Sequence, residues 1–190
     1  MGRVIAQQWM SVDGLVAGPH GEDDVFNAVE AFAPSETHNL ALLEDVGEIL
    51  LGRQTYSEWV QFWPTAGDEP MAARVNQLAK VVCSTSLDEA PWGDHEPATV
   101  VRDGIAHAME RQGATGDTIV WGSIRLMRSL LSAAVLDEIE LLVAPIALGS
   151  GTPLLGPDQP PVHLRLIESE SWPGGVVRGR YAVVAPGTHP

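Results

Sequence analysis

The sequence predicts a three-layer α/β protein, in which a mostly parallel β-sheet lies between helices and ends in an antiparallel hairpin. Short apolar, β-branched segments alternate with helical patterns through most of the chain, which is typical of a parallel sheet with helices on both faces. The last two strand patterns are separated only by Pro173-Gly174-Gly175, which indicates a hairpin. The 190 residues show no internal repeat or domain boundary, so we predict a single domain over residues 1–190.

The strands are predicted from runs rich in Val, Ile and Leu that are bounded by turn residues. They cover residues 4–12, 48–51, 80–83, 99–101, 119–121, 136–144, 164–171 and 176–184. Apolar residues at three- and four-residue spacing predict five helices. The first extends from a cap at Ser35 or Thr37 to about residue 45, and the second follows the turn at 52–56. The other three cover residues 71–79, 105–111 and 124–131. Segments 15–34, 59–70, 84–97 and 145–153 are predicted loops, with one short helix near 25–32.

The chain is strongly acidic. It has 11 Lys and Arg residues against 25 Asp and Glu residues, which gives a formal net charge of −14. This charge argues against nucleic acid or an anionic membrane as a partner, because both require a positive protein surface. Since Lys80 is the one lysine, cationic contacts to a ligand must come mainly from arginine, whose planar guanidinium can bind two phosphate oxygens at once.

The cysteine and histidine pattern leads us to expect no metal and no disulfide. Cys83 is the single cysteine and lies in an apolar run, as a small core residue does. His38 and His107 lie on predicted helices and lack metal-ligand spacing. No signal-peptide pattern is present and no apolar run approaches 18 residues, so we expect a cytoplasmic protein without a membrane partner.

Small polar residues and arginines follow several predicted strands. Gly52-Arg53-Gln54-Thr55, Ser84-Thr85-Ser86 and Gly122-Ser123 each come directly after a strand, and Arg102 ends a fourth. Ligands of open parallel sheets bind beyond the carboxyl ends of the strands, so these segments are expected to share one crevice that takes a dinucleotide. At Gly122-Ser123 the chain enters a helix, whose first N–H groups and dipole favour an anion. The alternative is that these residues are ordinary caps or solvated surface, and neither a Gly-x-Gly-x-x-Gly fingerprint nor a P-loop is present.

A series of short motifs extends along nearly the whole chain. It comprises Ser11-Val12-Asp13-Gly14, Leu50-Leu51-Gly52-Arg53-Gln54-Thr55-Tyr56, Lys80-Val81-Val82-Cys83-Ser84, Val120-Trp121-Gly122-Ser123 with Leu126, Leu130 and Leu131, Asp137-Glu138, and Pro145 with Leu148-Gly149-Ser150-Gly151-Thr152-Pro153-Leu154. In this order the motifs resemble the dihydrofolate-reductase-like superfamily. The resemblance is to the branch related to the C-terminal reductase domain of the bifunctional riboflavin-biosynthesis deaminase-reductase.

The resemblance implies a central mixed sheet of eight strands, NADPH as the cofactor and assembly into a homodimer. It also implies a hold on the adenosine 2′-phosphate that favours NADPH over NADH. The resemblance also implies the cofactor-binding residues. The loop over the nicotinamide would contain Val16 and Ala17, and the helix that receives the dinucleotide would contain Gly52, Gln54 and Thr55. The 2′-phosphate would be bound by Arg53, Ser84, Thr85 and Arg102, and the pyrophosphate by Gly122, Ser123, Ile124, Arg125 and Leu126.

The chain departs from the family pattern at several points. Ser123 stands where many relatives have a second glycine, and its side chain narrows the approach of a phosphate. Residues 15–47 contain no Lys or Arg, which weakens the assignment of a ribose-phosphate substrate, and the Pro-Cys-x-x-Cys signature of a zinc deaminase is absent. Dihydrofolate reductase uses a carboxylate on its first helix. The acidic residues in roughly that region fit no such motif and are interpreted as a solvated loop: Glu22, Asp23, Asp24 and Glu30.

Asp13 is the acidic candidate for catalysis. It ends the first predicted strand beside the nicotinamide loop, where burial would raise its pKa and allow it to relay a proton. The alternative is that Asp13 forms an Asx-turn onto the following backbone. Trp9 and Trp121 are candidates to flank a ring substrate, but packing is the default role of a tryptophan.

The sequence therefore predicts an NADPH-dependent reductase that transfers a hydride to a small heterocyclic or carbonyl substrate. One alternative is a non-catalytic NADP(H)-binding or regulatory protein on the same fold. A narrower enzymatic alternative is a riboflavin-pathway diaminopyrimidine reductase. The expected partners are a small-molecule substrate and a second copy of the chain.

Overall fold

The computed structural model describes residues 2–157 and 159–184, and a nine-stranded mixed sheet runs through them. The strands in chain order are β1 (Val4–Ser11), β2 (Leu15–Ala17), β3 (Val46–Gly52), β4 (Ala79–Cys83), β5 (Ala90–Trp92), β6 (His95–Val101), β7 (Asp117–Trp121), β8 (Glu138–Ala144), β9 (Thr152–Pro153), β10 (His163–Ser171) and β11 (Val177–Val184). The large sheet has the order β10-β11-β8-β1-β7-β3-β4-β6-β5, and β2 pairs separately with β9. The six strands from β8 to β6 are parallel, and the predicted C-terminal hairpin, β10 with β11, is confirmed.

The sheet has one strand more than the eight that the resemblance implies. This strand, β5, and the first residues of β6 lie in the predicted loop 84–97, where Pro91, Gly93 and Pro97 indicate turns. Trp92 is fully buried, and its indole Nε1 donates to Asn76 Oδ1 at 2.7 Å. Burial of this ring and pairing with β6 outweigh the local turn signals.

Helices cover both faces of the sheet. They are α1 (Asp23–Phe26), α2 (Ala33–Glu44), α3 (Arg53–Phe62), α4 (Ala72–Gln77), α5 (Gly104–Arg111) and α6 (Ile124–Ser132). Helices α5 and α6 pack on one face around Ala108 and Leu130, whereas α2, α3 and α4 pack on the other around Leu43 and Val75. The three-layer α/β architecture predicted from the sequence is therefore confirmed.

Two helix boundaries differ from the prediction. Helix α2 begins at Ala33, and Ser35 lies inside it with its hydroxyl donating to Phe32 O at 2.7 Å, so neither Ser35 nor Thr37 is the cap. Pro34 in the first turn is compatible with this early start, because the first N–H groups of a helix have no partner within it. Helix α3 continues to Phe62 through the predicted loop at 59, because Trp59 packs against Trp121 beneath the helix.

A buried polar network fixes β1 against its neighbours. Trp121 Nε1 donates to Gln7 Oε1 at 2.5 Å, and Gln7 Nε2 donates to Glu140 Oε1 at 2.7 Å. Burial disfavours the charge of Glu140, but hydrogen bonds from His38 and Gln7 and the charge of Arg178 outweigh it and hold the pKa of Glu140 at about 2. Trp121 is thus a packing residue that keeps β7 in register with β1.

No helix within residues 2–157 and 159–184 has the length and apolar character needed to cross a bilayer. The same residues contain no group of three or more His, Cys, Asp and Glu side chains arranged to hold a metal ion.

Candidate functional site

A cleft of about 1000 Å³ lies at the carboxyl ends of β3, β4, β6 and β7, the edge at which parallel sheets bind ligands. The structure brings most of the expected cofactor-binding residues to this cleft. Those that line it are Val16, Ala17, Gly52, Arg53, Gln54, Thr55, Arg102, Ser123, Ile124, Arg125 and Leu126. Ser84, Thr85 and Gly122 are not among the lining residues.

Besides the four-residue α1, two helices begin at the cleft without a side-chain cap. Helix α3 starts after Gly52 and α6 starts after Ser123, and neither of these residues caps its helix through its side chain. A helix start carries unpaired N–H groups and the positive end of the helix dipole, so both starts attract anions. Helix α5 differs, because Asp103 Oδ1 accepts the N–H groups of Ile105 and Ala106, both at 3.0 Å. The cleft therefore has two open helix starts and a third that is satisfied by a carboxylate.

Ser123 ties the two open helix starts together. Its backbone is left-handed, with φ 56° and ψ 50°. Its hydroxyl accepts the Gly52 N–H at 2.7 Å and donates to Thr55 Oγ1 at 2.9 Å, and its own N–H donates to Thr55 Oγ1 at 3.0 Å. Gly122 lies behind this contact with φ +55°, and a Cβ at that position would come within 3.3 Å of Thr55. The donors that α6 still offers to an anion are the N–H groups of its first turn.

Arg53 and Arg102 contact the same turn at one part of the cleft. Arg53 Nη1 donates to Ser86 Oγ at 3.3 Å, and Arg102 Nη1 donates to Ser84 O at 3.0 Å. Arg102 also pairs with the exposed Asp88 at 2.8 Å. Both guanidinium groups are exposed to solvent, so they have donors left for a phosphate.

Ser84 does not border the cleft, where a residue that binds the 2′-phosphate is expected to lie. It is buried, and its hydroxyl accepts the N–H groups of Ser86 at 3.2 Å and Leu87 at 3.1 Å. Thr85 is exposed on the same turn. Direct contact of Ser84 with a 2′-phosphate therefore stays a prediction, while its hydroxyl builds the turn that holds Ser86 near Arg53.

The cleft is also lined by acidic side chains, which include Glu22, Asp23 and Glu58. Glu22 remains exposed, but the surrounding walls desolvate its carboxyl group and the charges of Glu58 and Asp23 lie nearby. Desolvation first, and these charges second, raise the pKa of Glu22 above its ordinary value of 4.5. Residues 22 and 23 are exposed, as expected of a solvated acidic segment, and they also border the cleft. Phe26 adds an apolar ring to the same lining.

Asp13 lacks the properties expected of a proton donor. It is exposed, its Oδ1 accepts the Ser11 hydroxyl at 2.6 Å and the Leu148 N–H at 3.1 Å, and its Oδ2 accepts the Gly149 N–H at 2.7 Å. These bonds lower the pKa of Asp13 to about 2, with the Ser11 bond as the largest cause. The expected rise in pKa is wrong, because the Ser11 hydroxyl and two backbone N–H groups of a distant loop stabilise the carboxylate more than desolvation disfavours it. Asp13 anchors the 145–151 loop.

Cys83 and Gln8 are among the lining residues that the sequence does not identify as ligand contacts. Cys83 is half-buried and borders the cleft, and burial raises the pKa of its thiol, so it stays protonated at neutral pH. Gln8 is buried, its Nε2 donates to Trp9 O at 3.1 Å, and its Oε1 has no hydrogen-bond partner. A buried acceptor without a donor costs about 1–3 kcal/mol. No sequence signal separates Gln8 from its neighbour Gln7, since consecutive strand residues differ only in the face they occupy.

Comparison with protein families gives one match that spans most of the chain. The model described as the RibD C-terminal domain matches residues 3–178. Among curated proteins, the uncharacterized protein YyaP of Bacillus subtilis (strain 168) is 23% identical over 184 residues, which cover 93% of this chain and 92% of YyaP.

Solved structures share the fold at low sequence identity. A protein assigned to riboflavin biosynthesis from Shewanella sp. PV-4 has a TM-score of 0.78 at 23% identity, with 96% of this chain and 99% of that chain covered. A deaminase/reductase from Thermotoga maritima has a TM-score of 0.65 at 12% identity, and the match covers 96% of this chain and 57% of that chain. Dihydrofolate reductase from Enterococcus faecalis, complexed with NADP(H), has a TM-score of 0.59 at 12% identity, with 96% of each chain covered.

Proposed function

The chain belongs to the RibD C-terminal domain family, and from this premise we propose that it is an NADPH-dependent reductase of a small heterocyclic or carbonyl substrate. Family membership gives a reductase-type fold with dihydrofolate-reductase-like architecture. The observation that carries the proposal is the composition of the cleft. One cavity of about 1000 Å³ holds two open helix starts, exposed arginines and an acidic group with a raised pKa.

The cleft residues fit a phosphorylated dinucleotide. The first turn of α6 supplies backbone donors for a pyrophosphate, and the dipole of α3 reinforces them. Arg53 and Arg102 supply the positive charge that a 2′-phosphate needs, and Ser86 lies beside them. The uncharged lining by Val16, Ala17 and Leu126 suits a flat nicotinamide ring. In this proposal NADPH is preferred over NADH because NADPH carries the 2′-phosphate that the two arginines contact, and NADH lacks it.

Glu22 is the proposed proton donor. Reduction of a C=N or C=O bond consumes one hydride and one proton, and bound NADPH supplies the hydride. Because its pKa is raised, Glu22 holds a proton at higher pH than an ordinary glutamate. It gives this proton to the substrate nitrogen or oxygen as the hydride adds to carbon, and its carboxylate then regains a proton from solvent. This role replaces the one first considered for Asp13.

The acidic lining also bears on the substrate class. Glu22, Asp23 and Glu58 repel a phosphate group in the part of the cleft that they line, and they favour a substrate that is neutral or bears N–H donors. The phosphorylated diaminopyrimidine of the riboflavin pathway is therefore the less favoured substrate. A purely regulatory NADP(H)-binding role gives no reason for a carboxyl group with a raised pKa in the same cleft.

The test is NADPH oxidation by wild type and Glu22→Gln across pterin, pyrimidine and carbonyl substrates. We expect turnover with at least one class, and a rate lower by about 10²–10⁴-fold in Glu22→Gln, as removal of a general acid gives. The wild-type rate should fall as pH rises through the raised pKa of Glu22, because the active form is the protonated one. Glu22→Gln should lose this pH dependence.

The same variant has a stability signature. A raised pKa in the folded state means that ionised Glu22 destabilises the fold at neutral pH, so Glu22→Gln should melt at the same temperature as wild type or above it. The matched control is Glu110→Gln, at an exposed position of α5, which should keep wild-type turnover and pH profile. No NADPH oxidation with any class would favour the regulatory alternative, and full activity of Glu22→Gln would remove Glu22 from the mechanism.

A further inference from the structure

Gln8 lies on β1 at the point where the neighbouring strand ends. The register pairs Gln7 with Trp121, the last residue of β7, so Gln8 is one position beyond the end of that strand. After Trp121 the chain turns at Gly122 and enters α6, and β1 continues alone on this side to Ser11. Gln8 consequently lines the cleft together with Leu126 from α6 and Val16 from β2.

The side-chain amide of Gln8 is only half satisfied. Its Nε2 donates to Trp9 O, whereas its Oε1 is buried and accepts no hydrogen bond. Within residues 2–157 and 159–184, Oε1 is the one buried side-chain nitrogen or oxygen without a partner. Gln7 provides the contrast on the opposite face of the strand, where its amide bonds to Asn39, Glu140 and Trp121. A buried acceptor without a partner, on a residue that lines a ligand-sized cleft, points to a donor that arrives with the ligand.

The sheet order indicates which part of a dinucleotide reaches Gln8. Arg53 and Arg102 stand at the ends of β3 and β6, the open start of α6 follows β7, and Gln8 is on β1, so the order of these groups follows the strand order β6-β4-β3-β7-β1. Neighbouring strands are about 4.8 Å apart, and four such steps span roughly 19 Å, enough for an extended dinucleotide. With its 2′-phosphate at the arginines and its pyrophosphate at α6, the nicotinamide end lies over β1.

We propose that Gln8 recognises the nicotinamide carboxamide, with Oε1 accepting a hydrogen bond from the carboxamide N–H₂ group. This assignment rests on the proposed use of NADPH. The reduced nicotinamide ring is flat and uncharged and carries one primary amide, which suits a lining that includes Val16, Leu126 and the unpartnered acceptor of Gln8. Gln8 is a specificity residue in this proposal, because a site built to accept an N–H rejects a cofactor that lacks it.

The probes are NADP⁺ and its 3-acetylpyridine analogue, which has a methyl ketone in place of the amide N–H₂. Binding of each is measured by calorimetry to wild type, Gln8→Met and Gln8→Leu. We expect wild type to bind NADP⁺ at least about tenfold more tightly than the analogue, and both Gln8 variants to bind the two alike. The wild-type comparison alone tests the proposal if a variant fails to fold.

Thermal melting without ligand gives an independent readout. Gln8→Met removes an unsatisfied acceptor, so its melting temperature should equal or exceed that of wild type. The matched control, Gln7→Met, breaks a complete set of hydrogen bonds and should melt at a lower temperature while it keeps the preference for NADP⁺. A purely structural role of Gln8 predicts instead that Gln8→Met is destabilised as Gln7→Met is.

The outcomes separate this inference from the proposed function. Equal binding of both probes to wild type, or an unchanged preference in the Gln8 variants, overturns the role of Gln8 and leaves NADPH use intact. Absence of NADP⁺ binding to wild type at millimolar concentration overturns the proposed function, and the role of Gln8 with it. A preference in wild type that both variants lose supports the proposal.

Discussion

Ser123 joins the two helix starts that border the cleft. From the sequence, this serine is recognisable as a residue at an anion-binding turn, because a small-residue corner between strand and helix is a local pattern. Its bonds to Gly52 and Thr55 are not recognisable, because they cross 71 and 68 positions of the chain and depend on how β3 and β7 lie side by side. At the scale of single residues, position was predictable and bonding partners were not.

Two substitutions at Ser123 separate its hydroxyl from its backbone strain. Ser123→Ala loses the bonds to Gly52 and Thr55 and keeps a Cβ at positive φ, so we expect a loss of about 1–2 kcal/mol in unfolding free energy. Ser123→Gly loses the same bonds but relieves the left-handed strain, which is worth about 1 kcal/mol. Urea unfolding should therefore rank wild type and Gly above Ala. If Ala is as stable as Gly, the left-handed backbone carries no strain.

For the acidic residues too, the sequence gives the position in the chain but not the neighbours in space. The sequence favours Asp13 because it stands next to the expected nicotinamide loop, yet three hydrogen bonds lower its pKa to about 2 and keep it ionised at neutral pH. Glu22 was set aside because it fits no motif, yet the cleft walls and two neighbouring carboxylates raise its pKa. A pKa depends on the groups that surround a residue in space, and one sequence does not give those neighbours.

Among the elements, the helix starts at the cleft differ in how they are capped. Helix α5 is capped by Asp103, whereas α3 and α6 are left open. An aspartate before a helix is a readable cap signal, and the sequence contains it at 103. The open starts follow Gly52 and Ser123, where the small residues permit close approach of another group. The sequence thus indicates which helix ends are free for a ligand.

Asp103 allows this difference to be tested. Asp103→Ala removes the acceptor for the N–H groups of Ile105 and Ala106, so we expect a loss of about 1 kcal/mol in unfolding free energy and faster amide exchange at the start of α5. Asp103→Asn keeps a capping oxygen and should lie within a few tenths of a kcal/mol of wild type. Equal destabilisation by Asn and Ala would mean that charge, and not the cap, is what Asp103 contributes.

Helices and strands are predicted correctly where the period of the apolar residues and the length of the segment indicate the same element. Strand β7 and helix α6 were recovered nearly to the residue, because an apolar run and a 3.6-residue period stand on either side of a turn. Strand β5 was missed because its proline and the following glycine are turn residues, and only the burial of Trp92 reveals it as a strand. Such short edge strands depend on tertiary contacts and leave little local pattern.

For the whole molecule, the distribution of charge is more informative than its sum. The net charge of −14 argues against polyanionic partners, but it does not reveal that Arg53 and Arg102 stand together in one cleft with Glu22. In the proposed function, that division of the cleft pairs a phosphorylated cofactor with a neutral substrate. The single domain, the homodimer and the cytoplasmic location stay predictions. Leu164, Leu166 and Ile167 are exposed on the outer strand β10.

The central claim is that the cleft holds NADPH through its 2′-phosphate, and calorimetric titration of NADPH and NADH tests it most directly. We predict that wild type binds NADPH at least about tenfold more tightly than NADH, because Arg53 contributes a charge-assisted contact that NADH cannot make. Arg53→Ala should lose this preference, while Arg165→Ala on the outer strand should keep it. Equal affinity for the two cofactors, or no binding of NADPH at millimolar concentration, would contradict the claim.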